Sequence, residues 1–262
     1  MLMSTGTAST TNLAHDTRVP DSSRRNVMTF FDQQGIQIPC QQWLNTYEPS
    51  YFRGKPTFGK RFHGGYQVSQ YVEARVCALL GQTTVLSLQD LTLVMAWKLG
   101  EIDHRCSETA QKIVYRRSWD TTLRDRYRRD FSVSINYLAA SMTTIQAQAN
   151  QGNLQCLFDR FPRLKHSQLK FFDSVYLLTV LFFITYGKEP IYDRFAHKAA
   201  LAIDQGVSPG QAVSNYKQVQ TWAEYQLFKT LLTPISQACS QQSPMFISRP
   251  VDRALWVYGH FF

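Results

Sequence analysis

Apolar residues recur every three to four positions through most of the chain after residue 66, which is the spacing of α-helices with one buried face. The pattern predicts helices over 67–80, 88–99, 107–115, 135–151, 154–161, 172–185, 195–203, 208–239 and 251–260. The strict alternation that marks half-buried strands is weak throughout. The predicted fold class is therefore all-α.

The segment 172–185 differs from the other predicted helices because it is apolar nearly all round. A helix without a polar face is usually buried on every side, so this one is predicted to be central. Its longest apolar stretch, 175–184, is far shorter than a helix that crosses a bilayer, and no membrane association is expected.

The chain divides into a short tail and one folded region. Residues 1–25 are rich in Ser and Thr and lack the apolar core of a signal peptide, which predicts a flexible polar tail. Residues 26–262 are predicted to form the helical domain, and within them 26–65 mixes aromatic and turn residues without helical periodicity. Hydrophobic residues make up 44% of the chain and charged residues 18%, which is typical of a globular protein.

The net charge of the chain indicates which kind of partner it binds. Lys and Arg number 28 against 19 Asp and Glu, which gives the 262-residue chain a formal net charge of +9. Such an excess favours an anionic partner, with nucleic acid first and an anionic membrane second.

The cysteines indicate a reducing environment. Cys40, Cys77, Cys106, Cys156 and Cys239 are scattered and odd in number, and no CxxC pair occurs. Neither a zinc site nor a disulfide framework is predicted, and a cytoplasmic location is the simplest interpretation.

Familiar catalytic motifs are missing from the sequence. It contains no GxSxG, no P-loop and no GxGxxG, so hydrolase triads and nucleotide or dinucleotide chemistry lack their usual support. Asp103, His104 and Cys106 have no second cluster to complete a metal site and are assigned to a loop. No metal and no cofactor are expected.

Two basic segments are candidates for contact with DNA. Lys60 and Arg61 lie in a loop where glycines, basic residues and aromatics interleave, and an ordinary surface loop explains that loop equally well. Arg116 and Arg117 begin a segment, 115–130, with six arginines and three aromatics. Its three aspartates also fit a surface network of arginines and aspartates around a turn.

The segment from 186 to 198 carries the strongest candidate for chemistry. A buried helix leads into a polar turn with Gly and Pro, and Asp193 then stands at the entrance of the next helix. By residue type Asp193 is an N-cap. Arg194 and Lys198 form a cationic stripe on that helix, and His197 shares a helix face with Asp193. A carboxylate held there beside basic residues can meet a DNA sugar and its phosphates.

Two short segments resemble a known family. Residues 190–196, Pro-Ile-Tyr-Asp-Arg-Phe-Ala, resemble the aspartate-bearing turn of helix-hairpin-helix DNA glycosylases, especially a bacterial branch described as 8-oxoguanine-glycosylase-like. Residues 249–260, from Arg249 to His260, are similar to the closing helix of that branch. The order of helices fits over about three quarters of the chain, but only these two segments match at motif level.

The resemblance implies a two-lobed helical bundle that shares its N- and C-terminal helices and binds double-stranded DNA across a cleft. The target nucleotide is flipped into a pocket, and Asp193 promotes cleavage of the N-glycosidic bond by stabilising positive charge on the deoxyribose or by orienting water. The aromatic candidates for stacking on the extruded base, each of which could equally belong to the core, are Trp97, Tyr192, Trp256 and Tyr258.

The sequence departs from the family pattern at two places. The hairpin that normally grips a phosphate through glycine amides has none here, and Arg163, Lys165 and His166 are the candidates to replace it. The lysine that bifunctional members place near the start of the helix leading to the aspartate is also missing. That stretch, 173–176, contains no lysine, and Lys170 lies about a turn before it. Without a well-placed amine no Schiff base can form, so Lys170 is only a secondary candidate for the nucleophile.

Together these features predict a monomeric, monofunctional DNA glycosylase that leaves an abasic site. The excised base would be an oxidised purine, as in DNA repair, or a hypermodified cytosine of phage DNA, as in antiviral defence. The first alternative is a non-catalytic DNA-binding protein on the same helical fold. The second is a helical interaction factor whose basic charge only aids solubility.

Overall fold

The computed structural model describes residues 28–53, 70–81, 85–99, 102, 125–165, 174–239 and 248–262. Across these ranges the chain is mainly helical, and the β-bridge whose two residues are both described is an isolated antiparallel one between Phe31 and Gln37. The all-α prediction is confirmed. None of the described helices combines the length and apolarity that crossing a membrane requires.

Nine α-helices follow one another along the described residues. They are α1 (Cys40–Arg53), α2 (Gln70–Cys77), α3 (Leu88–Leu99), α4 (Asp125–Asn150), α5 (Leu154–Lys165), α6 (Ser174–Ile184), α7 (Arg194–Gln205), α8 (Trp222–Cys239) and α9 (Arg249–Tyr258). Short 3₁₀ turns extend α2 over Ala78–Gly81 and α9 over Gly259–Phe261.

Reciprocal caps determine where α3 and α8 begin. The amide of Asp90 donates to Ser87 Oγ at 3.2 Å, and the amide of Ser87 donates to Asp90 Oδ2 at 2.9 Å. Thr221 and Glu224 form the same arrangement before α8. Each pair satisfies amides that the first helical turn leaves without a partner, so the helix starts at that position.

Three predictions about helices are wrong. The helix predicted over 135–151 begins ten residues earlier, at Asp125, as α4. The segment 40–53 forms α1 although it showed no clear periodicity, and residues 208–221 are turns rather than part of one long helix. Gly210 and Asn215 both have positive φ, which interrupts a helix, and the cap at Thr221 starts α8 much later. The predicted helix over 107–115 and the flexible tail over 1–25 lie outside the described residues.

The core is built around α6. Leu177, Leu178, Val180 and Leu181 are completely buried, which confirms the prediction that this apolar helix is central. Neighbouring helices α3, α4 and α5 pack on it.

A second packing unit brings the closing helix against α1 and α7. Tyr258 of α9 packs edge-on against Trp43 and Tyr47 of α1. On the opposite side Gly259 lies so close to the backbone of Phe195 that a methyl group there would overlap the Phe195 carbonyl. Because α7 begins at this contact, α9 fixes the position of the residue that caps α7.

A disulfide joins the start of α1 to the end of α8, between Cys40 and Cys239, with 5.4 Å between their Cα atoms. The prediction that the chain contains no disulfide is wrong. The two cysteines are 199 residues apart, and only the folded packing brings them together. Cysteine pairing therefore no longer supports the predicted reducing compartment.

Candidate active site

A cleft of about 460 Å³ opens where α3, α7 and α9 meet. The end of α3 supplies one wall, the turn into α7 a second and one face of α9 a third, and Tyr51 and Tyr176 contribute from α1 and α6. Six aromatic and six charged residues are among those that line it, so a ligand there would meet flat apolar surfaces as well as charged groups.

Asp193 lines this cleft as the N-cap of α7. Its Oδ1 accepts a hydrogen bond from the Phe195 amide at 2.8 Å, and its Oδ2 lies 3.0 Å from Lys98 Nζ. The side chain keeps 22% of its surface exposed. Asp193 is therefore a fixed carboxylate that still faces the cleft.

Lys98 is a site residue that the sequence analysis missed. It lies in the last turn of α3, and its Nζ also donates to the Tyr192 carbonyl at 2.9 Å. It is separated from Asp193 by 95 residues, so no local spacing joins the two. The available signal was a lysine near the end of an otherwise apolar helix.

The electrostatics of the pair keep Asp193 ionised. Burial alone would raise the pKa of the Asp193 carboxyl. The charge and hydrogen bond of Lys98, together with the Phe195 amide, outweigh burial and hold the pKa below its ordinary value. The cleft therefore presents a carboxylate at neutral pH.

The turn before Asp193 is held by contacts from α8. Lys229 Nζ lies 2.9 Å from both Glu189 carboxylate oxygens, and the Tyr225 hydroxyl donates to the Pro190 carbonyl at 2.8 Å. The Tyr192 hydroxyl accepts from the Val219 amide at 3.1 Å. These bonds fix the backbone that carries Asp193.

One face of α9 contributes a second group of charges to the cleft. Arg249, Asp252, Arg253 and Trp256 share this face at helical spacing, and all four line the cleft. Arg249 pairs with Asp252 on the same helix and with Glu73 of α2. The sequence analysis named Trp256 of this face but missed Arg249, Asp252 and Arg253, although their helical spacing from Trp256 was visible in the sequence.

Glu73 lies buried beneath the cleft and connects the two arginines. Its carboxylate contacts Arg249 and Arg253 and accepts from Trp97 Nε1 at 3.2 Å. Burial raises the pKa of Glu73, but the two guanidinium groups outweigh it and the pKa lies below its usual range. Arg253 also pairs with Glu48 of α1. The network fixes α1, α2 and α9 around the cleft floor.

The predicted base-stacking residues separate into two groups. Trp97, Tyr192 and Trp256 line the cleft. Tyr258 does not: it is completely buried among the aromatic side chains that join α9 to α1, so its assignment to the base pocket is wrong. One face of α9 lines the cleft and another packs into the core, and Tyr258 is on the core face.

Of the two residues in the predicted cationic stripe on α7, only Arg194 lines the cleft. Arg194 is exposed, lines the cleft and lies over the ring of Phe195. Lys198 turns away from the cleft, with its Nζ 3.2 Å from the Phe262 carbonyl oxygen. His197 is buried, and its Nδ1 lies 3.4 Å from the Tyr192 hydroxyl.

The other predicted contacts fall on residues that the structure does not describe. Arg163 and Lys165 belong to the end of α5, but their side chains are not among those described. Neither the backbone nor the side chain is described for the other candidates, which are His166, Lys170, Arg116, Arg117, Lys60 and Arg61.

Among the described side chains, no group of three or more His, Cys, Asp or Glu residues could hold a metal ion. Comparison of the chain with protein-family models, with curated proteins and with solved structures gives no match.

Proposed function

We propose that this protein is a monofunctional DNA glycosylase that excises a modified base and leaves an abasic site. The observation that carries the proposal is the Asp193 carboxylate, which is held by Lys98 and a backbone amide in the wall of a cleft that aromatic residues also line. Both the motif around Asp193 and that of α9 resemble helix-hairpin-helix glycosylases, and both contribute residues to this one cleft.

Cleavage of the N-glycosidic bond builds positive charge on the deoxyribose. A carboxylate fixed in a partly buried site stabilises that charge more than water does, because it needs no reorganisation during the reaction. Asp193 also accepts a proton from the water that attacks C1′. Its contacts with Lys98 and Phe195 set its direction and keep it ionised.

The substrate is a nucleotide flipped out of double-stranded DNA. A cleft of about 460 Å³ with Trp97 and Trp256 in its walls suits a planar base, which stacks on aromatic rings. Arg194 is exposed beside Asp193 and is suited to the adjacent phosphate. We propose an oxidised purine or a hypermodified cytosine as the base, and a two-lobed, monomeric protein.

Lys98 is the amine nearest to Asp193 among the described residues, and we assign it a positioning role. Its Nζ contacts the Asp193 carboxylate and the Tyr192 carbonyl, and in this role it holds the carboxylate instead of attacking C1′. The proposed enzyme therefore uses water and does not nick the strand.

The test compares wild type with Asp193→Asn on duplex DNA that carries 8-oxoguanine or glucosylated hydroxymethylcytosine. Hot alkali then cleaves the abasic sites. Asn is itself a good N-cap, so the substitution removes the charge while the helix start is retained. We expect the rate to fall by at least about 100-fold. Asp159→Asn, on the exposed face of α5, is the matched control and should leave the rate unchanged.

A non-catalytic DNA-binding protein is the second candidate, and one observation favours it. Both Asp193 oxygens already have partners, which is what a purely structural cap would show. On this alternative no base is released from any substrate, and salt-sensitive DNA binding is the same for wild type and Asp193→Asn.

A further inference from the structure

The ion pairs around the cleft do not balance. Lys98 and Asp193 form a balanced pair, but within the described residues the two arginines of α9, Arg249 and Arg253, pair with three carboxylates. These carboxylates are Glu48, Glu73 and Asp252. A partly buried group with one surplus negative charge lowers its free energy by binding one proton.

Asp252 is the carboxyl group best placed to hold that proton within reach of a ligand. Its side chain is 21% exposed, nearly the same as Asp193, and both line the cleft. Glu73 is more deeply buried beneath the cleft, with 5% of its side chain exposed, and does not line it. Glu48 does not line it either.

Arg249, the partner of Asp252, is shared. The same guanidinium contacts Glu73 and lies 5.0 Å over the ring of Trp97. Because Arg249 divides its charge between two carboxylates, it compensates each of them only in part. Lys98 forms an ion pair with Asp193 and with no other described carboxylate, and a backbone amide also donates to Asp193. The two cleft carboxyl groups therefore have different environments.

We propose that Asp252 is the general acid that protonates the departing base, while Asp193 remains the carboxylate that acts at the sugar. This assignment rests on the proposed glycosylase function and deepens it. Two carboxyl groups in one cleft, one kept ionised and one kept protonated, are the arrangement by which a single site supplies an acid and a base.

In the proposed step, the base is protonated as its glycosidic bond is cleaved. The C1′–N bond breaks, and its electron pair goes to the ring nitrogen of the base. The proton of the Asp252 carboxyl transfers to the base, which leaves neutral. Water adds to C1′ and gives its proton to Asp193, and solvent then reprotonates Asp252 and deprotonates Asp193. No other reactant is needed.

The groups that face Asp252 support this role. Burial raises the pKa of the Asp252 carboxyl; Arg249 and Lys98 lower it, while the charges of Asp193 and Glu73 raise it further, and its pKa lies above the usual value. These four groups come from α9, α3, the turn before α7 and α2. The two cleft carboxyl groups thus shift in opposite directions.

The experiment measures single-turnover base release between pH 5 and 9 on the two modified duplexes named above. We expect the wild-type rate to decline as the pH rises and Asp252 loses its proton. Asp252→Asn should lower the rate near the wild-type optimum by about 100-fold or more and abolish that alkaline decline. Asp193→Asn should retain the alkaline decline at its much lower rate.

Two results would overturn the assignment. One is an Asp252→Asn rate within a few-fold of wild type, and the other is a uniform loss at every pH with the alkaline decline intact. If Asp252→Asn does not fold, as judged by thermal melting, Asp252→Glu carries the test because it keeps an acid there. The alkaline decline should then move along the pH axis, and a decline that stays in place rejects the proposal.

The outcomes separate this inference from the proposed function. If wild type releases neither base, the glycosylase function fails and Asp252 loses its role with it. If wild type and Asp252→Asn both release base at similar rates while Asp193→Asn does not, only the assignment of Asp252 fails.

Discussion

Asp193 combines two roles through its two oxygens. Oδ1 caps α7 by accepting from Phe195, and Oδ2 is held by Lys98 at the edge of the cleft. A cap is stabilising in itself, and here it also aims the carboxylate. At the scale of single residues, the proposed function therefore depends on what holds Asp193 as much as on Asp193 itself.

Replacing Lys98 by Met tests that dependence. Without the cation the pKa of Asp193 should rise, because burial is then opposed only by the remaining contacts. We expect base release at neutral pH to fall by about 10-fold, with the acidic limb of the pH–rate profile moved to higher pH. Lys98→Arg keeps the charge and should restore much of the rate.

Borohydride trapping distinguishes this role from that of a nucleophile. If wild type formed a covalent complex with DNA that Lys98→Met abolished, Lys98 would attack C1′ and the monofunctional assignment would be wrong.

His197 makes a prediction about acid stability. Burial lowers the pKa of His197 to about 4 from an ordinary 6.5. Between those values the unfolded chain binds a proton that the folded protein does not, so stability is present above pH 6.5 and decreases as the pH falls towards 4. From pH 7 to 4.5 this costs about 2 kcal/mol of unfolding free energy.

His197→Phe keeps the ring packing against Tyr192 and Phe228 and removes the titration. Urea unfolding at the two pH values should show a smaller acid loss in the variant by about that amount. An unchanged loss would mean that His197 does not titrate as a buried neutral residue.

Single residues differ in how far the sequence reveals them. Asp193 could be identified as a cap because the signal is local: an aspartate between a polar turn and a helix. Lys98 and Glu73 could not, since the charged partner of Lys98 lies 95 residues away in the chain and those of Glu73 lie more than 170 residues away. Electrostatic partners of this kind leave no local pattern.

At the scale of elements, α9 organises the site. One face supplies Arg249, Asp252 and Trp256 to the cleft, and the other packs Tyr258 against α1. The helical spacing of Arg249, Asp252 and Trp256 could be recognised in the sequence. The sequence did not indicate which face of α9 lines the cleft. That choice depends on the aromatic partners that α1 provides, and α1 itself lacked a clear periodic signal.

Gly259→Ala tests the contact between α9 and α7. The φ of Gly259 is −64°, which alanine adopts freely, so any cost comes from overlap with the Phe195 carbonyl. We expect a loss of about 1–3 kcal/mol in urea unfolding and slower base release, because the start of α7 must shift.

Gly152→Ala is the control for this substitution. Gly152 has a positive φ and open space around it, so alanine there costs about 1–2 kcal/mol through backbone strain alone. Base release should remain at the wild-type rate below both melting temperatures. If Gly259→Ala also kept that rate, α9 would not position Asp193.

At the scale of the whole molecule, the disulfide between Cys40 and Cys239 links two residues that are 199 positions apart in the chain. Closing so long a loop stabilises a protein by about 4–5 kcal/mol, mainly through the unfolded state. We expect Cys40→Ser to lower the melting temperature strongly and Cys156→Ser, at an exposed free cysteine, to leave it nearly unchanged.

Alkylation followed by peptide mapping checks the pairing directly. Cys156 should react in the untreated protein, whereas Cys40 and Cys239 should react only after reduction. Ready alkylation of all three would contradict the disulfide. Neither bridged cysteine lines the cleft, so base release should persist below the lowered melting temperature.

The most direct test of the central claim is mass spectrometry of the free bases that the protein releases from damaged and phage-derived DNA. We predict that wild type and Asp159→Asn release one modified base and leave abasic sites, and that Asp193→Asn releases at least about 100-fold less. Equal release by wild type and Asp193→Asn would contradict the claim that the Asp193 carboxylate breaks the glycosidic bond.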